Sequence, residues 1–434
     1  MSKGVTIFWF RRDLRIEDNT GLFQALKEPF PVQPIFIFDT DILEYLPKKD
    51  ARVEFIHQEI QRLQEELRQR NTSIDVRIGK PIETWKKLLG DYDIKAVWAN
   101  RDYEPYARKR DKSVYELLRE NGIGFKAKKD HVIFEKSEVT KENGDPYVVY
   151  TPYSRLWKSE LTDNHLHPSN SVAVSNWAKS GYAIPTLKEV GFEPAGIDFP
   201  PRNTEYNIIK SYDKTRDIPA KRGTSRLSLH LRFGTISIRS LAKKAKELNE
   251  KYLNELIWRD FYQSILWHFP QVVEENFSKK YNGIKWRNNE DEFEKWKAGK
   301  TGFPIVDAGM RELNKTGFMH NRVRMIAASF LTKHLLTDWR RGEAYFAEKL
   351  LDFELASNNG GWQWAAGTGV DAQPYFRIFN PYSQTEKFDK NRNYIYKWIP
   401  EVNTDLYPKP IVEHRFARER ALETYKAGMN LTSE

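Results

Sequence analysis

No cysteine occurs in this chain, which removes disulfides, a thiol nucleophile and cysteine-ligated metal from consideration. No apolar run reaches the roughly 18 residues of a membrane span, and the amino terminus lacks the charged-then-apolar pattern of a secretion signal. The expectation is a cytoplasmic protein with no membrane partner. None of the early strand-like runs is followed by GxGxxG, so a nicotinamide cofactor is not expected. Gly299-Lys300-Thr301 looks like half a phosphate loop, but Glu294 stands where such a loop needs its first glycine, and no strand precedes it. A nucleoside triphosphate site is therefore excluded, and Gly299 reads as a helix C-cap. His165 and His167 share an HxH spacing without a third ligand nearby, so no metal is expected.

What the chain has in excess is positive charge and aromatic rings. Lys+Arg number 70 against 60 Asp+Glu, a formal charge of +10, with a pI near 9.2. That balance favours a polyanionic partner, nucleic acid first. Thirteen tryptophans and 14% aromatic residues suit stacking on flavins or bases as well as filling a large core. At 434 residues the chain has room for two or three domains.

The first part alternates strand and helix. Short apolar runs stand at Val5–Phe10, Gln33–Asp39, Ile74–Ile78 and Ile94–Ala99. Between them Ala51–Arg70 sets Val53, Ile56, Ile60, Leu63 and Leu67 at three- and four-residue steps, an amphipathic helix; Pro81–Leu89 and Ala107–Glu120 are further helices. The fold class is α/β: residues 1–130 as a doubly wound domain with a parallel sheet, its ligands expected at the carboxyl ends of the strands. Residues 131–205 are aperiodic and rich in turn residues, and read as a connecting linker. From 206 to 434 the patterns are helical (Tyr206–Tyr212, Ile238–Asn249, Leu253–Phe269, Phe303–Thr316, Asn321–Leu336, Glu343–Glu354), an all-α domain large enough to enclose a ligand.

Within that helical part, four stretches could carry chemistry. Gly223–Ser228 (GTSRLS) is either a phosphate cradle at a helix start or an ordinary N-cap. On helices, Glu255 shares a face with Trp258 and Arg259, and Asn321 with Arg324 and Met325. These sets suit gripping a polar ring edge, or are surface ion pairs. Leu350–Gly367 (LLDFELASNNGGWQWAAG) is the densest stretch. If helical, at about 100° per residue, Asn358 and Trp362 share a side while Trp364 points elsewhere. That arrangement suits either a flat ligand or a core helix with an aromatic plug.

Six segments, in order through the chain, resemble the photolyase/cryptochrome family: FWFRRDLRIEDN at Phe8–Asn19, GTSRLS at Gly223–Ser228, NELIWRDFY at Asn254–Tyr262, GKTGFPIVDAGMREL at Gly299–Leu313, MHNRVRM at Met319–Met325 and NNGGWQWAAGTG at Asn358–Gly369. The chain is most similar to the class I members that repair cyclobutane pyrimidine dimers in DNA. The resemblance implies an α/β antenna domain, a linker and a helical domain holding folded FAD. By that resemblance Tyr212, Thr224, Ser225, Arg226, Leu227 and Ser228 contact the FAD phosphates and ribityl chain. Arg259 and Glu354 lie on the flavin side, Arg324 and Asp352 pair beside the isoalloxazine, and Asn358 faces its N5. Asn321 belongs to both cofactor and lesion. Glu255, Trp258, Arg322, Met325 and Trp364 line the dimer pocket, with Glu255, Trp258 and Arg322 touching DNA. Trp362, Trp339 and Trp286 relay an electron inward. The implied reaction is light-driven dimer splitting by an electron from excited reduced FAD, with Glu255 hydrogen-bonding or protonating the dimer carbonyl. The partner is dimer-containing DNA, and the protein is expected to be a monomer.

Two departures from the family pattern stand out. Glu354 occupies a position where many members have aspartate. Tyr106-Ala107 replaces the Asn-Glu pair of folate binders, so a second, antenna chromophore would be a deazaflavin or flavin rather than folate, with Arg52 and Asp102 among its contacts. A cryptochrome photoreceptor with the same fold and FAD but no repair is the alternative; against it, Asn358 stands where plant-type receptors carry aspartate. Repair of six-four photoproducts is disfavoured because that branch has histidines where Asn321 and Met325 stand.

Overall fold

The computed structural model describes residues 4–430, and these fall into two compact units. One comprises residues 4–135, 160–203 and 227–247; the other comprises 136–159, 204–226 and 248–430. Residues 131–205 are thus shared between the two.

The first unit is built on five parallel strands, β1 (Val5–Phe10), β2 (Val32–Asp39), β3 (Asp75–Gly79), β4 (Ile94–Asn100) and β5 (Gly124–Lys128), in the order β3-β2-β1-β4-β5. Alternation along β1 explains why both faces are covered. Ile7 and Trp9 join a core with Trp85 and Leu88 of the Pro81–Asp91 helix and Val114 and Leu118 of the Pro105–Glu120 helix. Phe8 points the other way, to the Thr20–Leu26 helix, where a Cβ on Gly21 would come within 3.1 Å of its ring. A strand buried on both sides reads as a nearly continuous apolar run, as VTIFWF does with Thr6 as its one polar residue. β5 was not expected from the sequence. GFKAK has no apolar run, and its lysines stay exposed at the sheet edge, where charge discourages further pairing.

The same unit holds a buried charge network. Asp130 accepts from Arg15 at 2.6 Å and from Arg239 at 2.9 Å, and Arg239 also reaches Asp18. Burial opposes ionisation of Asp130, yet Arg15 and Arg239 hold its carboxyl far below the usual range.

The second unit is helical. Its main core joins the Pro304–Thr316, Asn321–Ser329, Trp339–Lys349 and Leu355–Ala366 helices through Val306, Met310, Val323, Ala327, Phe346 and Trp362. Three expectations need correction. The helix expected over Asn321–Leu336 is α-helical only to Ser329 and continues as a π-turn over Phe330–His334. This wider turn carries the buried Lys333, whose Nζ reaches the carbonyl of Ala366 at 2.8 Å. The helix expected over Glu343–Glu354 ends at Lys349, because Leu351 donates its N–H to Gly317 across the fold and Asp352 and Glu354 turn to arginines. The aperiodic region contains a helix, Tyr150–Glu160, absent from the sequence reading.

Removing Asp130 leaves two buried guanidinium groups short of a counter-charge, so Asp130→Ala is expected to destabilise the protein by about 3–5 kcal/mol. Because the folded-state pKa lies below the unfolded one, the stability Asp130 contributes is complete above the unfolded value of about 4 and is lost as pH falls. Chemical denaturation across pH 2–7 should show a shallower acid-side loss in Asp130→Asn than in the parent chain.

Candidate cofactor- and DNA-binding site

The Leu355–Ala366 helix organises the site. Its sides have different occupants, as the helical repeat dictates. Asn358 donates to the carbonyl and side chain of Glu343, at 3.1 and 2.7 Å, on the Trp339–Lys349 helix. Trp362, one turn on, packs against the same helix: its ring lies edge-on to Phe346 at 4.9 Å, and a Cβ on Gly342 would sit 2.2 Å from it. Asn359 and Gln363 face instead the carbonyl of Val272, each at 2.9 Å. Gly360 admits Tyr262, whose ring a Cβ there would meet at 2.2 Å, whereas Gly361 meets nothing within 4 Å. At the C-terminus, Lys333 and the Tyr425 hydroxyl both donate to Ala366, each at 2.8 Å. Trp364 is half-buried against the main core.

Several arginine–carboxylate pairs of this unit involve the residues singled out in the sequence. Arg324 donates to both oxygens of Asp352, at 3.2 and 3.0 Å, and to the Met319 carbonyl. Arg259 donates to Glu354 at 3.0 Å, with Ser357 on the other carboxylate oxygen. Arg216 pairs with Glu255, and Arg322 with Asp217 at 2.7 Å. The helical spacing of Glu255 and Arg259 therefore does not produce an ion pair between them; each has a tertiary partner. Burial pushes the Glu255 carboxyl up, against the pull of Arg216. The extra methylene of Glu354 is accommodated in its pairing with Arg259.

Around Glu255 the structure gathers several of the residues expected to face a lesion. Trp258 is half-buried on the same helix, Glu250–His268. Arg322 contacts the Met325 sulfur at 3.5 Å, Asn321 contacts it at 3.9 Å, and the Arg322 guanidinium lies 4.4 Å from the Phe388 ring centre. Tyr212 is edge-on to Tyr252 at 5.1 Å, under the Arg216 guanidinium. Ser225 bonds the Tyr252 hydroxyl at 2.7 Å, and Arg226, at φ 54°, lies over Phe318. Thr224 is half-buried beside them in the chain, Leu227 is buried, and Ser228 begins a short helix to Phe233 without a side-chain cap. The helix takes Leu227 rather than a hydroxyl residue as its N-cap. Arg226 in the left-handed region marks a backbone conformation that ordinary residues avoid unless the surroundings impose it.

Trp339 and Trp362 belong to the main core, and Trp286 packs against its edge. The Trp339 indole donates to Asn276 at 2.8 Å. Of the residues expected to contact a second chromophore, in the other unit, Arg52 is engaged by Asp50 at its helix N-terminus and Asp102 by Arg12. Asp102 is half-buried and its desolvation opposes ionisation, but Arg12, His131, Arg110 and Arg232 hold it well below the usual carboxylate range.

Several residues of the site were not found by sequence reasoning. Arg216, Asp217 and Glu343 are partners of expected residues and carry no motif of their own. His320 had a signal, standing before Asn321 as an N-cap. Its Nδ1 accepts the Arg322 N–H at 3.1 Å, so in the neutral ring the proton sits on Nε2, which is buried without a partner. Burial, with Arg322, Arg324 and Arg216 nearby and only Asp217 opposing, lowers its pKa to about 4. Tyr150 lay in the aperiodic region; its ring stacks on Trp258 with centres 3.7 Å apart and planes 2° from parallel.

Comparison with known proteins gives a consistent result. Residues 252–405 match the family described as FAD binding domain of DNA photolyase, and residues 6–172 that described as DNA photolyase. The chain is 36% identical to the deoxyribodipyrimidine photo-lyase of Halobacterium salinarum, across 97% of this chain and 98% of that protein. Among solved structures it is similar to a bacterial class III photolyase from Agrobacterium tumefaciens, with TM-score 0.89, 32% identity and coverage of 99% and 98%. An archaeal photolyase from Sulfolobus tokodaii, solved with two FAD molecules, superposes with TM-score 0.82 at 35% identity, covering 97% and 99%.

The close approach at Gly342 predicts that Gly342→Ala drives the Trp339–Lys349 helix off the Trp362 ring. Overpacking of this kind lowers stability by about 1–3 kcal/mol. Gly361→Ala, with open space around it, is expected to be neutral or slightly stabilising, and thermal unfolding of the two variants checks the contrast.

Proposed function

Because the chain belongs to the DNA photolyase family, we infer that it is a light-driven lyase that binds FAD and splits cyclobutane pyrimidine dimers in DNA. The observation that best supports this reading is the convergence, in one unit, of the Arg324–Asp352 pair, the Asn358 amide and the Glu255–Trp258 pair. The donor set fits a flavin dinucleotide. Arg324 brings positive charge held by only one acid, the Arg226 turn presents a strained loop beside Tyr212 and Tyr252, and the buried His320 N–H lacks an acceptor within the protein.

We assign the roles as follows. When bound, reduced FAD would supply light-driven one-electron chemistry to the dimer, with no net redox change. Tyr212, Thr224, Ser225, Arg226, Leu227 and Ser228 hold the phosphates and ribityl chain. Arg324 with Asp352, and Arg259 with Glu354, flank the flavin, and Arg324 favours its anionic form. Asn358, its NH2 engaged by Glu343, keeps its carbonyl oxygen available and would accept a hydrogen bond from an N–H of the bound flavin. Trp258, Trp364, Asn321 and Met325 enclose the extruded dimer, which is easier to flip than intact bases because its stacking is already disturbed. Glu255, with its raised pKa, hydrogen-bonds the dimer where charge develops. Arg322 positions the DNA. Trp286, Trp339 and Trp362 carry an electron inward to keep the cofactor reduced.

We place an antenna pigment, deazaflavin or flavin, at the carboxyl ends of the parallel strands. There Arg11 and Arg110 lie about 5 Å from the Trp9 ring, and Tyr106 bonds Asp39 at 2.6 Å. Arg52 and Asp102 are its proposed polar contacts. We further take the protein to act as a cytoplasmic monomer, with residues 1–130 as the antenna domain, 131–205 as the linker and 206–434 as the FAD- and DNA-binding domain; no described helix is long and apolar enough to cross a membrane.

Illuminating the reduced protein with dimer-containing DNA tests the activity: loss of dimers is expected, and persistence of dimers despite bound, reduced flavin would overturn it. Glu255→Ala should keep its FAD and lose repair yield by about tenfold or more, the worth of one hydrogen bond to a charged group. Trp286→Phe should slow photoreduction while chemically reduced enzyme repairs at the parent rate. Equal loss under both conditions would contradict the relay.

A further inference from the structure

We propose that Tyr150 is a positioning residue for lesion binding: stacked on Trp258, it fixes the indole as a rigid plate for the extruded base. This rests on the dimer-pocket reading of Trp258 and adds a residue from outside every motif that supports that reading.

The geometry is specific. The two rings are parallel to within 2° with centres 3.7 Å apart, closer and flatter than most aromatic pairs, which prefer an offset or an edge. Tyr150 is fixed at both ends. Its hydroxyl donates to the carbonyl of Asn254 at 3.0 Å, one turn before Trp258, and its backbone N–H donates to Asp371 at 3.4 Å. The helix it begins is tied along the Trp258 helix: Tyr153 against Phe261 at 5.1 Å, the Trp157 indole donating to Asp260 at 3.0 Å, and Lys158 pairing with Glu250. Tyr150 therefore cannot leave Trp258 without unzipping its helix, which argues for a permanent backing rather than a plug displaced by the base.

One face of Trp258 is thus covered. Phe261 meets the indole edge-on at 5.6 Å, and Tyr262 lies at 5.5 Å, tilted by 31°. A tryptophan on a helix surface rotates about two side-chain bonds and loses that freedom when a base stacks on it. Tyr150 removes the freedom beforehand, so less ordering entropy opposes binding of the lesion.

The test uses holoenzyme and a short oligonucleotide with a single thymine dimer, beside the same oligonucleotide undamaged. Tyr150→Leu is expected to weaken dimer binding about tenfold, within the range of one stacking contact. Undamaged DNA binding, FAD content and photoreduction rate should stay within twofold. Tyr150→Phe keeps the ring and should bind dimers like the parent. In a Trp258→Ala background, Tyr150→Leu should add less than twofold, since its effect passes through the indole. If Tyr150→Leu retains too little FAD to measure, Tyr150→Met, of similar reach without a ring, replaces it. Parent-like dimer binding in the ringless variant overturns the proposal. So does equal weakening for both DNAs, or a full effect without Trp258. A Trp258→Ala protein that itself binds dimers normally overturns the pocket reading instead.

Discussion

An arginine that is to meet an anionic cofactor has to be held by the protein before the cofactor arrives. A guanidinium taken out of water without a partner is too costly to keep, and one matched completely by acids has no charge left for a ligand. The helical unit resolves this by setting arginines against carboxylates: Arg324 meets Asp352, Arg259 meets Glu354, Arg216 meets Glu255 and, at 4.0 Å, Asp217, and Asp217 also takes Arg322. Each pair is formally neutral, yet its guanidinium carries five N–H groups and its carboxylate satisfies only part of that fork. At Arg324, whose Nε goes to the Met319 carbonyl and one terminal nitrogen to Asp352, the other terminal nitrogen is a donor that a ligand can use. Much of the local fold follows from making these pairs. The break after Lys349 is what releases Asp352 and Glu354 from a helix in which they would point apart.

The same constraint separates what the sequence makes legible from what it hides. The doubly wound sheet was readable because β1, β2 and β4 are apolar on both faces, a pattern few other environments require. β5 was not, since an edge strand made of Gly, Phe, Ala and two lysines resembles a loop. Within the site, Asn358 and Trp362 could be placed on one side from spacing alone, and the structure puts both against the Trp339–Lys349 helix. The ion pairs could not be derived. Local spacing pairs Glu255 with Arg259, but their partners lie 39 and 95 positions away, and no periodicity encodes a tertiary choice. Tyr150 was invisible for a related reason: its helix is short and sits among turn residues, so only its stacking reveals what it does.

The two glycines of the Asn358–Trp362 stretch show how the Leu355–Ala366 helix and the aromatic rings of the Glu250–His268 helix are brought to one separation. Gly361 has nothing near it, whereas Gly360 lies so close to Tyr262 that a methyl group would strike the ring. Tyr262 in turn touches Trp258, and Trp258 touches Tyr150. From the backbone of the Leu355–Ala366 helix to the outermost ring there is therefore an unbroken series of contacts, with the side chain omitted at its first step. Electron transfer depends steeply on distance, so under the proposed roles the spacing between Trp258 and the helix that carries Asn358 has to be fixed. Packed rings resist compression in a way that loops do not. A larger residue at position 360 would lengthen the series at its base, and every ring beyond it would have to shift.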